Sequence, residues 1–274
     1  MKHDLTIAVT ALNATDNPGP GVSVIRGIRH HPDFDGRIVG LAYDTLEPGL
    51  YADDLVDDAY IVPYPSQGRE ALETRLRYIN EETPIDVIIP TLDSELASLI
   101  GLEPFFDDLD IGTFLPTSEQ LDMRSKAHLG KLGEKTGIRV PKTRSVNDAR
   151  ELYEIHEDVP YPFWVKGVFY GAKKARSVDE AVEAFHQTVA QWGVPVLVQE
   201  SVEGDEFDVV GVGDGDGGLI GAVPMKKTFL TDKGKGWAGV AIKDPDLLEL
   251  VHDFVDATEW RGPFEFEAVK TDRG

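Results

Sequence analysis

Lys166 closes an apolar run, Tyr-Pro-Phe-Trp-Val-Lys-Gly at residues 161–167. An ammonium at the end of a buried strand is costly to desolvate without a counter-charge. Phosphate oxygens would supply that charge. The glycine-containing loop at residues 168–175, which carries Gly171 and Lys173, would add backbone N–H donors. A second apolar strand at residues 195–200 ends in Gln199 and Glu200, and Val202, Glu206 and Asp208 follow it. An apolar strand running into carboxylates suits a flat base at its edge and sugar hydroxyls further along. Glu206 and Asp208 stand two apart, so on a strand they project to one face. Together these residues read as a nucleotide clamp.

Upstream, Lys126 lies on a predicted helix eleven residues before Gly137, which opens a Gly-Ile-x-Val-Pro segment. Downstream, Gly262-Pro263-Phe264 leads into a strand bearing Glu265 and Glu267. The ordered set is a helix lysine, a strand lysine with its loop, Gln-Glu-x-Val-x-Gly-x-Glu at residues 199–206, and a carboxylate strand. It resembles the ATP-grasp superfamily, most closely the carbamoyl-phosphate-synthetase and biotin-carboxylase branch, over nearly the whole chain. The resemblance implies ATP and Mg2+ as cofactors, bound between two lobes. It implies that Lys126 and Lys166 hold phosphates at the catalytic centre, helped by the loop around Gly171 and Lys173. By the same resemblance Gln199, Glu200 and Val202 frame adenine, Glu206 binds ribose, and Glu267 holds magnesium. Lys226 and Lys227 either reach the phosphates or form a solvated basic strand end.

The elements that must position these residues follow from periodicity. Residues 5–10, 37–43, 59–62 and 85–90 read as strands, alternating with helices at 22–30, 69–81 and 94–102. Alternation of this size implies a parallel sheet with right-handed crossovers. The expected fold class is therefore α/β: a doubly wound, Rossmann-like parallel sheet over residues 1–115, followed by a two-lobed α+β ATP-grasp domain over residues 116–274, with a lid at about residues 158–203. Thr117 with Gln120 forms a capping box near the change of domain. A helix is predicted from Ser125 to Lys135, stopped by Gly137, and another is capped by Ser145 and runs to Glu157. Ser177 with Glu180 forms a further box. Its helix presents Val178, Ala181, Val182, Phe185, Val189 and Trp192 as a core stripe. Residues 207–225 read as a hairpin around a glycine- and aspartate-rich turn that fails the calcium-loop pattern. A further helix begins at Asp244-Pro245 with Leu247, Leu248, Val251, Phe254 and Val255 inward.

Other motifs carry less. Gly19-Pro20-Gly21 lacks dinucleotide spacing, and Pro20 removes a backbone donor, so the loop reads as a tight turn or part of an acceptor pocket. Asp93-Ser94-Glu95 either touches a second substrate or caps a helix. With 27 basic and 49 acidic residues, the net charge of −22 argues against nucleic acid or an anionic membrane as partner. The chain has no cysteine, which excludes disulfides and thiolate chemistry. No apolar run approaches membrane-spanning length, and a cytoplasmic protein is expected.

In the family the strand of Glu267 continues into a second strand ending Glu-x-Asn-Pro-Arg. Residues 270–274 correspond to the turn between them, so the expectation is a piece of a longer ligase, poorly active alone. The intact enzyme would join a small carboxylate to an amine or other nucleophile through an acyl phosphate. A homodimer is common in this branch. The alternatives are a non-catalytic nucleotide-binding or regulatory fragment and an ATP-grasp kinase of a small metabolite.

Overall fold

The computed structural model describes residues 4–15, 17–168, 171–231 and 236–272. The chain divides into two compact units, Met1–Leu115 and Pro116–Gly274.

In the first unit β1 (Thr6–Val9), β2 (Arg37–Ala42), β3 (Asp58–Ile61) and β4 (Val87–Ile89) form one sheet in the order β3-β2-β1-β4, every neighbour parallel. Helix α1 (Pro20–His30) joins β1 to β2, a 3-10 turn (Pro48–Tyr51) lies between β2 and β3, α2 (Arg69–Glu82) precedes β4, and α3 (Asp93–Ile100) and α4 (Glu103–Asp108) follow it. Strands buried on both faces have no polar side to show, so β1 and β2 are near-continuous apolar runs. Ile7, Val9, Leu12, Ile25, Ile38 and Leu55 make their core. The Gly19-Pro20-Gly21 loop is a steric device. A Cβ on Gly21 would lie 1.9 Å from the Thr10 carbonyl oxygen, so only glycine lets α1 start against the end of β1.

In the second unit α5 (Ser118–Met123) and α6 (Leu129–Thr136) precede two antiparallel sheets. One contains β5 (Thr143–Val146), β6 (Phe163–Gly167), β7 (Ala172–Ala175) and β8 (Val196–Glu200) in the order β5-β8-β6-β7. Helix α7 (Val178–Trp192) packs on it, with its Ala181 and Phe185 in one core with Phe163, Val165 and Val198 of the sheet. The other contains β9 (Asp205–Asp214), β10 (Leu219–Leu230), β11 (Gly236–Ala241) and β12 (Arg261–Lys270) in the order β11-β10-β9-β12. Helix α8 (Pro245–Thr258) is capped by the Asp244 side chain, which accepts from the Leu247 N–H. Its Phe254 meets the rings of Trp260, Phe264 and Phe266 at 5.5–5.6 Å. Among the described residues no helix is long and apolar enough to cross a membrane.

Local differences from the sequence-based elements have physical causes. Ser145 caps no helix; it lies in β5 and pairs with Leu197 of β8. The cap falls at Asp148, whose box with Glu151 opens 3-10 turns at Ala149–Tyr153 and Ile155–Glu157 instead of an α-helix. The helix expected from Ser125 is a 3-10 turn at Lys126–His128 followed by the shorter α6, a helix weakened by Gly130 and Gly133. Gly137 ends it in the left-handed region, φ 72°. The loop at 168–175 is shorter than expected, since its second half is β7; Phe169 and Tyr170 lie outside the described residues. The box at Ser177 is half made: Ser177 accepts from the Glu180 N–H, while the Glu180 carboxylate accepts from the Arg176 N–H. Trp192 leaves the core stripe of α7 and is 48% exposed; Ala184 is buried instead.

Candidate functional site

Pleat alternation sorts the lysines of the first antiparallel sheet. Phe163 and Val165 face α7, so Trp164 and Lys166 face the other way, and Leu197 and Gln199 stand beside them by register. Lys166 Nζ donates to Gln199 Oε1 (2.6 Å), and Gln199 Nε2 donates to Thr143 Oγ1 (2.9 Å). The lysine is held by a neutral amide. Burial holds its pKa below the ordinary lysine value, the positive charge of Lys126 pushes the same way, and Glu267 and Glu206 oppose both. Lys126 itself stands exposed on its 3-10 turn. Two ammonium groups gathered on one side of a surface make a place for an anion.

Lys173 is not part of this face. It pairs with Val165, on the α7 side of the hairpin, and its Nζ donates to Gln187 Oε1 on that helix. Lys174 pairs with Trp164 and takes the face that Lys173 was expected to serve. Its Nζ lies 5.6 Å from the Trp164 ring centroid, Lys166 Nζ lies 5.9 Å from it, and Glu203 is 3.8 Å from Lys174. Register and alternation account for Lys174: with Lys166 opposite Ala172, the next residue on that face of β7 is Lys174. Gly171 closes the hairpin at φ 83°, and its carbonyl accepts from the Gly167 N–H (3.1 Å).

At the end of β8, Glu200 is tied to the chain beyond α6. Its N–H donates to the Lys142 carbonyl (2.9 Å) and its Oε2 accepts from the Lys142 N–H (3.2 Å). Half-buried Ser201 and Val202 follow. The Ser201 hydroxyl is buried with no hydrogen-bond partner among the described residues, a group that a ligand donor or acceptor would satisfy.

The carboxylates lie on the second sheet. Phe207 and Val209 point into the α8 core, so Glu206 and Asp208 point away from it, and Asp208 pairs with Glu267 across the β9–β12 ladder. Lys227 Nζ sits 3.0 Å from Asp208 Oδ1 and 2.7 Å from Glu267 Oε1. Burial pulls the Lys227 pKa down, but the hydrogen bond and charge of Glu267, then of Asp208, outweigh it and push it up to about 12. Burial raises the Asp208 pKa, against the pull of Lys227. Lys226 points elsewhere, to Asp205 (2.5 Å). Glu267, expected as a metal ligand, is thus engaged by an ammonium. No group of three or more metal-ligating side chains gathers among the described residues. These residues do not by themselves build a magnesium site.

No protein-family model matches the chain. It is 28% identical over 175 residues to the alpha-aminoadipate–LysW ligase LysX of Sulfurisphaera tokodaii, a match covering 61% of each chain. The chain therefore aligns with less than two thirds of that relative's length. The structure superposes on an L-amino acid ligase from Bacillus licheniformis with a TM-score of 0.71 and 16% identity, covering all of this chain and 65% of the other. It also superposes on the biotin carboxylase domain of a 2-oxoglutarate carboxylase from Hydrogenobacter thermophilus, solved as a dimer with MgADP, ADP and bicarbonate. There the TM-score is 0.67 and the identity 17%, over 98% of this chain and 62% of the other. The parallel sheet, the two antiparallel sheets and these likenesses agree: the chain has the fold of these ligases and carboxylases, the ATP-grasp fold.

Proposed function

We propose that this chain carries the nucleotide-binding part of an ATP-dependent ligase that joins a small carboxylate to an amine or another nucleophile. The observation that supports this most is Lys166: half-buried, bonded to a neutral amide, and crowded by the charge of Lys126. Lys126 and Lys166 are assigned to the phosphates, with Gly171 allowing the hairpin to turn beside them and Lys174 replacing Lys173 as a third cation. Gln199, Glu200 and Val202 are assigned to the base, where the unpartnered Ser201 hydroxyl supports a ligand. Glu206, exposed on the same face as Asp208, is assigned to the ribose.

In the reaction proposed, a carboxylate oxygen attacks the γ-phosphorus and ADP leaves. The nucleophile then attacks the acyl carbon and inorganic phosphate leaves. Such transfer depends mainly on positioning and on neutralising charge, which the lysines supply. Magnesium would arrive with the nucleotide and neutralise phosphate charge. Glu267 would serve it only after exchanging Lys227, and no step is built on that exchange.

Calorimetric titration of the chain with ATP tests the reading. Lys166→Ala is expected to weaken binding by roughly tenfold or more, the effect of removing a hydrogen bond to a charged group. Undiminished binding by that variant would remove the assignment. A second reading, a nucleotide-binding fragment without turnover, is favoured by the engagement of Glu267 with Lys227. It predicts the same affinity but no ADP release from ATP with any of a panel of small carboxylates and amines.

A further inference from the structure

Lys227 spans three strands of the second sheet. It leaves β10, passes over β9 and reaches β12, following the order of the sheet. Its Nζ lies 3.0 Å from Asp208 Oδ1 and donates to Glu267 Oε1 (2.7 Å). Asp208 and Glu267 are direct partners in the β9–β12 ladder, so both side chains leave the same face. The three groups differ in access. The side chains of Lys227 and Asp208 are 5% and 4% exposed, whereas that of Glu267 is 73% exposed.

That asymmetry decides what a divalent cation can find here. From solvent it meets Glu267, while Asp208 Oδ1 is buried beneath the ammonium. Magnesium demands a near-octahedral shell of oxygens and gives up its waters reluctantly, so one carboxylate already engaged by a lysine holds it poorly. To gain Asp208 it would have to expel Lys227 and leave a buried ammonium without its partners, which is costly. Charge opposes the exchange as well. Glu267 also acts on Lys166, so a metal at Glu267 would face two ammonium groups.

We propose that Lys227 is the resident cation of this carboxylate strand. It fills the place that the family resemblance gives to a protein-held magnesium, and it closes that place to divalent cations. Magnesium then enters the site only as a companion of the nucleotide phosphates, with no bond to Glu267. The exclusion of free metal stands apart from the nucleotide reading; the companion role rests on it.

The first test uses the full chain, isotope-labelled for amide NMR and free of nucleotide, with Mn2+ as the probe. Paramagnetic broadening locates the ion. In the unaltered chain the amides of Asp208 and Glu267 are expected to broaden no sooner than that of Asp253, an exposed acid on α8. Lys227→Ala leaves room for a hydrated ion beside Asp208, and the two amides should then broaden at roughly tenfold lower Mn2+, because a stranded buried carboxylate seeks a new counter-charge. Lys227→Arg, which stays charged, should gain nothing. Early broadening at Asp208 and Glu267 in the unaltered chain, or no gain in a folded Lys227→Ala, would overturn the proposal. Should Lys227→Ala fail to fold, Glu267→Gln decides, since it alters an exposed side chain and leaves the Asp208–Lys227 pair in place. In calorimetry with ATP, the ratio of affinities with and without Mg2+ is expected to be the same in the unaltered chain and in Glu267→Gln. A magnesium-dependent gain that the substitution abolishes would overturn the proposal. No ATP binding by either form would remove the nucleotide reading instead, and the Mn2+ result for the unaltered chain would still decide this one.

Discussion

At the scale of single residues, the ion group Asp208–Lys227–Glu267 decides most. Lys227 and Asp208 are nearly inaccessible, with side-chain exposures of 5% and 4%, and each compensates the other. Removing one partner from a buried pair strands the other charge. Lys227→Met should therefore cost about 3 kcal/mol in urea unfolding, and adding Asp208→Asn should recover part of it. Lys166 supports a pH prediction. Its pKa is lowered in the folded chain, so the unfolded chain holds that proton more tightly, and stability rises with pH between the lowered value and 10.5. A bound polyphosphate favours the charged lysine, so ATP affinity should fall across the same window. Lys166→Arg, which stays charged, should show no such fall in calorimetry from neutral to alkaline pH. The sequence made Lys166 legible because a charged residue ends an apolar strand. It did not make the choice between Lys173 and Lys174 legible, because that parity depends on where the β6–β7 turn closes, and residue 171 had first to be recognised as the turn.

At the scale of elements, periodicity was most informative where a helix has a single sheet to cover. Of the residues expected inward on α8, Leu247, Val251, Phe254 and Val255 are buried, while Leu248 is only half-buried. Phe254→Ala should cost about 3–5 kcal/mol, since the ring packs against three other aromatics and the surrounding strands cannot collapse into its volume. Chemical denaturation monitored by circular dichroism checks this. The stripe of α7 was overextended by one turn. Trp192 keeps the spacing, but Gly193 ends the helix one residue later, and the tryptophan emerges at the rim of the sheet. The 145–157 segment misled for another reason. Its apolar residues suit a helix, yet residues 143–146 are taken up as a strand by pairing with β8, and 3-10 turns follow.

At the scale of the whole molecule, the parallel sheet of the first unit followed from its strands and helices, whereas in the second only the hairpin at residues 207–225 was read from the residues and the rest of its architecture was implied by the family resemblance. The burial of Glu47, 5% exposed, was not foreseen. Glu47 lies in a connecting segment with no periodicity, and its burial comes from packing among loops that no local pattern records. Charge works on the largest scale of all. The chain carries −22 overall while Lys126 and Lys166 gather at one place, so a nucleotide binding there as proposed would meet long-range repulsion before short-range attraction. Salt screens the first beyond about 8 Å and touches the partly buried second far less. Encounter should therefore be slow in dilute buffer and quicken as salt is added, with the dwell time of the bound molecule nearly constant. That ordering is the reverse of the one seen when a basic protein draws in an anion.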